Sequence, residues 1–410
     1  MTKYSRKDFL KLSGLASASL LLPNFLKGMG IETDPRMSEL LLPVTNGKRL
    51  VVIQLSGGND GLNTVVPRGD DLYYSNRSGL GLKGAELINL DAYFSLNAKL
   101  KGLADLYMSG EVAIINSVGY PNPNRSHFRS LDIWQSASDA DKYVQSGWIG
   151  RWLDNACSGG DYKPYYALEL DDAMSLALKG NTLSGIAVSN PKRMNAMMQD
   201  PMIYKTAKAW TAHDDDEHHI EYLHKTLAQT EMSVQTIYDK SGRKLSKAIY
   251  PGHAFGKHLK MIAELIMADA ETSVFYISLP GFDTHAGQKN QQGRLLNVYG
   301  DALKAFSQDL KLVNRWNDTL VMTFSEFGRR VKQNASAGTD HGTANVMLLA
   351  GGGLKKKGIL NEAPDLKNLV DGDLQFKVDF RRIYASVLKN WLGADANGIL
   401  GASFETMDFV

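Results

Sequence analysis

The 410-residue sequence holds a single cysteine, Cys157. That excludes an internal disulfide, and without a Cys-x-x-Cys pair it excludes the common cysteine-based zinc and redox motifs. No charge sign is in excess: 46 basic residues face 44 acidic ones, for a net charge of +2. Such a balance gives no electrostatic case for nucleic acid as a partner. Internal repeats and low-complexity tracts are missing. The apolar run near the N-terminus, Leu12 to Leu22, falls short of the ~20 residues that a membrane-spanning helix needs. What is present is ordinary for a globular protein, with 43% hydrophobic and 22% charged residues. The length suits one large domain or two ordinary ones. Only nine histidines occur, so the position of each is informative.

Residues 1–30 read as an export signal, a basic start followed by an apolar stretch. Ser5 to Lys11, "SRKDFLK", resembles the twin-arginine export motif, with Lys7 where the second arginine normally stands. This predicts a periplasmic or cell-envelope location, with the twin-arginine export machinery as a partner. No clean Ala-x-Ala cleavage site and no lipobox cysteine is seen, so an uncleaved anchor is the alternative to a cleaved signal. The twin-arginine route carries folded proteins, often with cofactor in place, which suits a metalloprotein without disulfides. Residues 31–48, with Pro35, Pro43 and Gly47 and no hydrophobic period, read as a linker.

Five buried strands are legible as apolar runs ended by glycine or polar turns: Arg49 to Leu55, Glu111 to Val118, Ser273 to Gly281, Thr319 to Gly328 and Asn345 to Gly353. Helical patterns lie between and after them: Asn97 to Met108, Ser126 to Ala137, His253 to Asp269, Gly287 to Trp316 and Phe380 to Leu392. The alternation predicts an α/β fold, a mostly parallel central sheet with helices on both faces. Residues 49–410 form the domain. Residues 158–250 interrupt the alternation and read as a cap inserted over the carboxyl edge of the sheet.

Ligands of open parallel sheets bind beyond the carboxyl ends of the strands. The polar residues there are Asn59 and Asp60 after the first strand, and Arg125, Ser126 and His127 after the second. Asp283, Thr284 and His285 follow the third, Glu326 and Arg329 follow the fourth, and Asp340 and His341 precede the fifth. Each has a plain reading alone: a tight turn, a helix N-cap, an ion pair, a loop histidine. Together, carboxylates converging on one edge would repel unless a cation neutralised them. Histidines with carboxylates suit zinc, manganese or iron, and an all-oxygen set suits calcium or magnesium.

The segments "SGGNDGLNTVVP", "NRSHFRSLDIWQSA", "GWIGRWLD", "GFDTH", "SEFGRR", "GTDHG" and "DFRRIYASVLKNWLG" together resemble a large bacterial family known only as domain of unknown function 1501. That family is grouped with the alkaline phosphatase and sulfatase superfamily, whose members hydrolyse phosphate or sulfate esters at a metal centre. The resemblance implies that Asp60 is a metal ligand and that Ser126 is the nucleophile, opening a helix after a proline-rich loop. It implies Asp283, His285 and His341 on one metal, and Glu326 in the place of a further metal-binding aspartate. Phe327 stands where the superfamily has a histidine, so a second site would hold only oxygens and be weaker, harder or empty. Asp340 would be a ligand or support one.

The implied activity is hydrolysis of a phosphate or sulfate ester, small-molecule or glycan. It would need one or two divalent ions (zinc, manganese, calcium or magnesium), with Ser126 or a metal-bound water as nucleophile. Arg329, and also Arg125, would hold the anion through paired N–H donors, and His127 would protonate a leaving group. The alternative is a non-catalytic envelope protein that binds a glycan or surface partner on the same fold. His213 to His224, "HDDDEHHIEYLH", is rich in metal-liking residues, but its spacing does not hold them on one helical face. It reads as a solvated helix. The methionines from Met194 to Met202 read as packing.

Overall fold

The computed structural model describes residues 47–158, 162–200 and 218–410. The export signal, nearly all of the linker and residues 213–217 of the histidine-rich segment lie outside the described residues. Among the described residues there are twelve strands: β1 Arg49–Ser56, β2 Val65–Val66, β3 Leu87–Asn89, β4 Ser95–Asn97, β5 Val112–Gly119, β6 Ala167–Glu169, β7 Ile186–Ala187, β8 Val274–Pro280, β9 Thr319–Phe324, β10 Asn345–Ala350, β11 Gly358–Ile359 and β12 Val378–Asp379. The central sheet runs β11-β5-β10-β9-β1-β8-β6-β7, with β12 alongside β5. β2, β4 and β3 form a separate small sheet. All five strands expected from the apolar runs are found, and β5, β9 and β10 are buried at every residue. Burial along a whole strand means that both faces of the sheet are covered, which is why these strands are uninterrupted apolar runs.

The sheet is parallel at β8, β9 and β6 on either side of β1. β10 runs antiparallel to both β9 and β5. This reversal matters for the site. The loop before an antiparallel strand lies at the same sheet edge as the loops after the parallel ones. Residues 337–344, which precede β10, therefore join the residues that follow β1, β5, β8 and β9.

Helices flank the sheet where the 3.6-residue period places them. In Gln288–Leu312, the residues Leu296, Tyr299, Leu303, Phe306 and Leu310 recur every three or four positions, and all are buried. Phe255, Leu259, Ile262 and Ile266 do the same in Ala254–Met267. Each such side chain contributes about 1.5–3 kcal/mol by leaving water. Residues 158–250, read as a cap, also extend the sheet: β6 pairs with β8 and β7 with β6. Two- and three-residue strands are too short to show a period, which hid them in the sequence. The helices Pro191–Met198 and His218–Ser241 follow in the same stretch. No helix among the described residues is long and apolar enough to cross a membrane.

Candidate metal centre

Three histidines converge on Asp283. His285 Nε2 lies 3.1 Å and His341 Nε2 3.2 Å from Asp283 Oδ1. The two Nε2 atoms are themselves 3.0 Å apart. His127 Nε2 lies 3.5 Å from Asp283 Oδ2. The ligand atoms of His127, Asp283 and His341 all fall within 4.8 Å of one another.

The other ring nitrogen decides what each Nε2 can do. His341 Nδ1 donates to the backbone carbonyl of Arg125 at 2.8 Å, and a carbonyl can only accept. His285 Nδ1 sits 3.1 Å from the Asp340 carboxylate and His127 Nδ1 3.0 Å from the Glu326 carboxylate. In each neutral ring the proton is therefore on Nδ1 and the Nε2 lone pair faces Asp283. Three lone pairs and a carboxylate aimed at one another repel unless positive charge lies among them. His127 Nε2 is also a buried polar atom with no hydrogen-bond partner. Histidines with Nδ1 anchored to an oxygen and Nε2 turned inward are the arrangement seen around metal ions. The residues fit a divalent ion with nitrogen-rich ligation, such as zinc, manganese or iron.

The local charges follow. Burial opposes ionisation of Asp283, but the Arg329 guanidinium that donates to it outweighs this and pulls its pKa down to about 2. The Glu326 carboxylate bonded to Nδ1 raises His127 above its ordinary value, against partial burial. Hydrogen bonds from His285 and Asn334 lower Asp340.

The backbone makes this approach possible through two glycines flanking Asp340 and His341. A Cβ on Gly338 would lie 2.2 Å from the carbonyl oxygen of His285, and one on Gly342 would lie 2.5 Å from the carbonyl carbon of Arg329. A bridge pairs His341 with Arg329. The loop before β10 thus lies directly on the ends of β8 and β9.

The other residues expected at the site have different surroundings. Asp60 is 1% exposed and its carboxylate is fully engaged. Arg77 Nη1 donates to Oδ2 at 2.5 Å, Gln288 donates to the same oxygen, and Leu62 N donates to Oδ1. The buried guanidinium of Arg77 supplies positive charge beside Asp60. Glu326 Oε1 accepts from Gly57 N at 2.8 Å and from His127 Nδ1, which makes it the anchor of a histidine. Asp340 plays the same part for His285. Arg329 is 2% exposed. It donates to the carbonyls of Gly57, Gly58, Phe282 and Thr339 and to Asp283. Its donors are committed inside the protein and do not face an incoming anion.

Ser126 is exposed at the N-cap of the His127–Ser136 helix, and its hydroxyl makes no capping bond. It adjoins Arg125, whose carbonyl holds His341. Phe327, standing where a histidine was expected, packs its ring 4.6 Å from that of His341 and 4.9 Å from that of His127. His127, read from sequence as a proton donor, brings a third imidazole to the cluster. The signal for that was its position directly after Ser126 at a strand-end helix start. Arg77 and Gln288, which hold Asp60, carry no sequence signal of their role.

Comparison with known proteins agrees with the motifs. The chain belongs to the family described as "Protein of unknown function (DUF1501)", which it matches over residues 113–397. No curated protein matches it. Similar solved structures include a protein in the alkaline phosphatase superfamily from Vibrio parahaemolyticus, at 12% identity and a TM-score of 0.38, over 91% of this chain and 74% of that one. The lipoteichoic acid synthase LtaP from Listeria monocytogenes is similar at 12% identity and a TM-score of 0.36, over 93% and 81%. The PsFucS1 sulfatase from Pseudoalteromonas sp. is similar at 12% identity and a TM-score of 0.39, over 92% and 75%.

Proposed function

We propose that this chain is an exported, metal-dependent hydrolase of a phosphate or sulfate ester, with one divalent ion held by His127, Asp283, His285 and His341. The observation that carries the reading is the set of three imidazoles, each anchored at Nδ1, with their Nε2 atoms turned to one carboxylate. A single ion follows from the engagement of Asp60 by Arg77 and of Glu326 by His127 and Gly57.

When bound, the ion would supply Lewis-acid stabilisation of the ester's negative charge. The chain's residues would do the rest. Ser126, exposed and without a capping bond, is the nucleophile candidate. It opens a ten-residue helix, whose N-terminal N–H groups favour an anion beside it. Arg125 takes the anion-holding role. Its Nε and Nη2 donate to Asp373, which fixes the guanidinium and leaves Nη1 with no protein acceptor among the described residues. Asp340 and Glu326 hold the imidazoles in the tautomer that presents Nε2. Phe327 covers the rings of His127 and His341 and excludes water from that side.

Purified protein from an export-competent host, assayed for bound metal and for hydrolysis of aryl phosphates and sulfates, tests this. The reading expects about one ion per chain and activity lost in Ser126→Ala and His341→Ala. Activity unchanged in both variants would sink it. A second reading, a non-catalytic envelope protein that binds a glycan or surface partner, draws on the same engagement of Asp60 and Glu326, which leaves one cation site where superfamily enzymes such as phosphatases use two. Metal binding without turnover on either ester class would favour it. Export rests on the N-terminal motif. Cell fractionation that left the full-length chain in the cytoplasm would remove it.

A further inference from the structure

A cavity of about 630 Å³ lies where three helices meet: the start of Pro191–Met198, the end of His218–Ser241 and the outer side of Ala254–Met267. It shares no residue with the metal centre. Lys192, Arg243, Lys244, Lys257 and Lys260 line it, and its acids are Asp239 and Glu264. The wall thus sets five positive charges against two negative ones, a net of +3. The whole chain balances 46 basic residues against 44 acidic ones, yet residues 240–260 hold six lysines and arginines and no aspartate or glutamate.

The fold makes no use of these charges. Among the described residues, no aspartate or glutamate lies within ion-pair distance of any of the five, and none of their charged groups donates a hydrogen bond. The two acids of the wall have neutral partners. Asp239 accepts from the Gln235 amide at 2.9 and 3.0 Å, and buried Glu264 accepts from Ser246 N. The negative end of His218–Ser241 accounts for a cation just beyond it, such as Arg243 or Lys244. It does not account for Lys192, Lys257 and Lys260, which come from the other two helices. Lys257 and Lys260 stand three apart on one helix, where like charges repel. A cleft lined by one sign of charge focuses its field and gathers ions of the other sign.

Charge, size and the scarcity of rings define the occupant. A net of +3 in one cavity calls for several negative charges close together. One phosphate or sulfate ion is too small to reach cations on three helices across 630 Å³. A chain of singly charged sugars spaces its charges too widely. A nucleic-acid strand needs rings on which its bases stack, and Tyr238 is the single aromatic side chain of the wall. Two or three linked phosphates carry their charge in one compact group. Arg243 offers them a forked donor, and the lysines are point charges around it. We infer that this cavity binds a ligand with two or more phosphates in one compact group, free in solution or as a lipid headgroup. The inference does not depend on the hydrolase reading.

The full chain, freed of metal, is titrated by calorimetry with tripolyphosphate and with methyl phosphate at constant ionic strength. Tripolyphosphate should bind more tightly by about tenfold or more. Arg243→Gln/Lys257→Gln, at two exposed residues, should weaken it by about tenfold or more. Lys356→Gln/Lys357→Gln removes the same charge at exposed residues elsewhere and should leave binding unchanged. Neutral vesicles doped with cardiolipin, which has two phosphates on one headgroup, are compared with vesicles holding phosphatidylglycerol at equal total charge. A preference for cardiolipin that Arg243→Gln/Lys257→Gln removes identifies a lipid headgroup. Tripolyphosphate binding without that preference identifies a free ligand. Neither tripolyphosphate binding nor a cardiolipin preference in the wild-type chain would overturn the inference. So would binding that Arg243→Gln/Lys257→Gln leaves unchanged, or that Lys356→Gln/Lys357→Gln weakens equally.

Discussion

Replacing Asp60 by asparagine separates a structural carboxylate from a metal ligand. Sequence reasoning makes Asp60 a ligand, but its geometry is that of a buried ion pair with Arg77, at 1% and 0% side-chain exposure. Asparagine keeps the shape and an acceptor for Leu62 N. It leaves the Arg77 guanidinium with neutral acceptors only: Asn63 Oδ1 and the carbonyls of Arg330 and Val331. Breaking a buried pair by removing one partner costs about 3–5 kcal/mol. For a domain of this size, with unfolding entropy of about 2.1 cal/mol/K per residue, that lowers Tm by about 4–7 °C. Bound metal should stay at the wild-type level. Differential scanning calorimetry with elemental analysis of the same sample reads both quantities. Asp60→Asn protein that unfolds within about 1 °C of wild type but has lost its ion would refute the reasoning and return Asp60 to the metal.

Other substitutions bear on the same picture. His341→Ala should abolish the bound ion while leaving the sheet intact, by elemental analysis and circular dichroism. Glu326→Gln removes the carboxylate that holds His127 Nδ1 and should weaken metal affinity about 10–100-fold, measured by competition with a chromogenic chelator. Asp340→Asn should do the same through His285. Glu169 reports on pH in a separate place. Burial in β6 raises it from 4.5 to about 7, against the hydrogen bond from Ser175 N. Its folded-state pKa lies above the unfolded one, so the stability it contributes is complete below about pH 4.5 and is lost as pH rises through about 7. The loss is about 3 kcal/mol at most by linkage. Urea denaturation across that window should show it, and Glu169→Gln should flatten the dependence.

The five long strands were legible because a strand buried on both faces must be apolar at every position, as Val112–Gly119 and Asn345–Ala350 show. The amphipathic helices were legible from their period. β6 and β7 were not, since strands of three and two residues have no pattern to read. At the site, Asp283, His285 and His341 were visible as strand-end residues, and the reversed direction of β10 is what brings His341 to them. The surroundings of Asp60 and Arg329 were not legible for a physical reason. Their partners are a distant guanidinium and backbone carbonyls, which have no signature in a sequence. A metal-binding aspartate and an aspartate neutralised by a buried arginine look the same until Arg77 is placed beside it. Phe327 looked like the loss of a ligand. The third imidazole instead comes from His127, reached across the sheet edge from the helix after β5.

The most direct test of the account is a crystal structure of metal-loaded protein, with anomalous data collected on both sides of the metal's absorption edge. The account predicts one anomalous peak, at about 2.0–2.2 Å from ligand nitrogens and oxygen, enclosed by His127, Asp283, His285 and His341, and none at Asp60. A peak coordinated by Asp60 and Glu326, or metal-saturated crystals with no density among the three histidines, would contradict it.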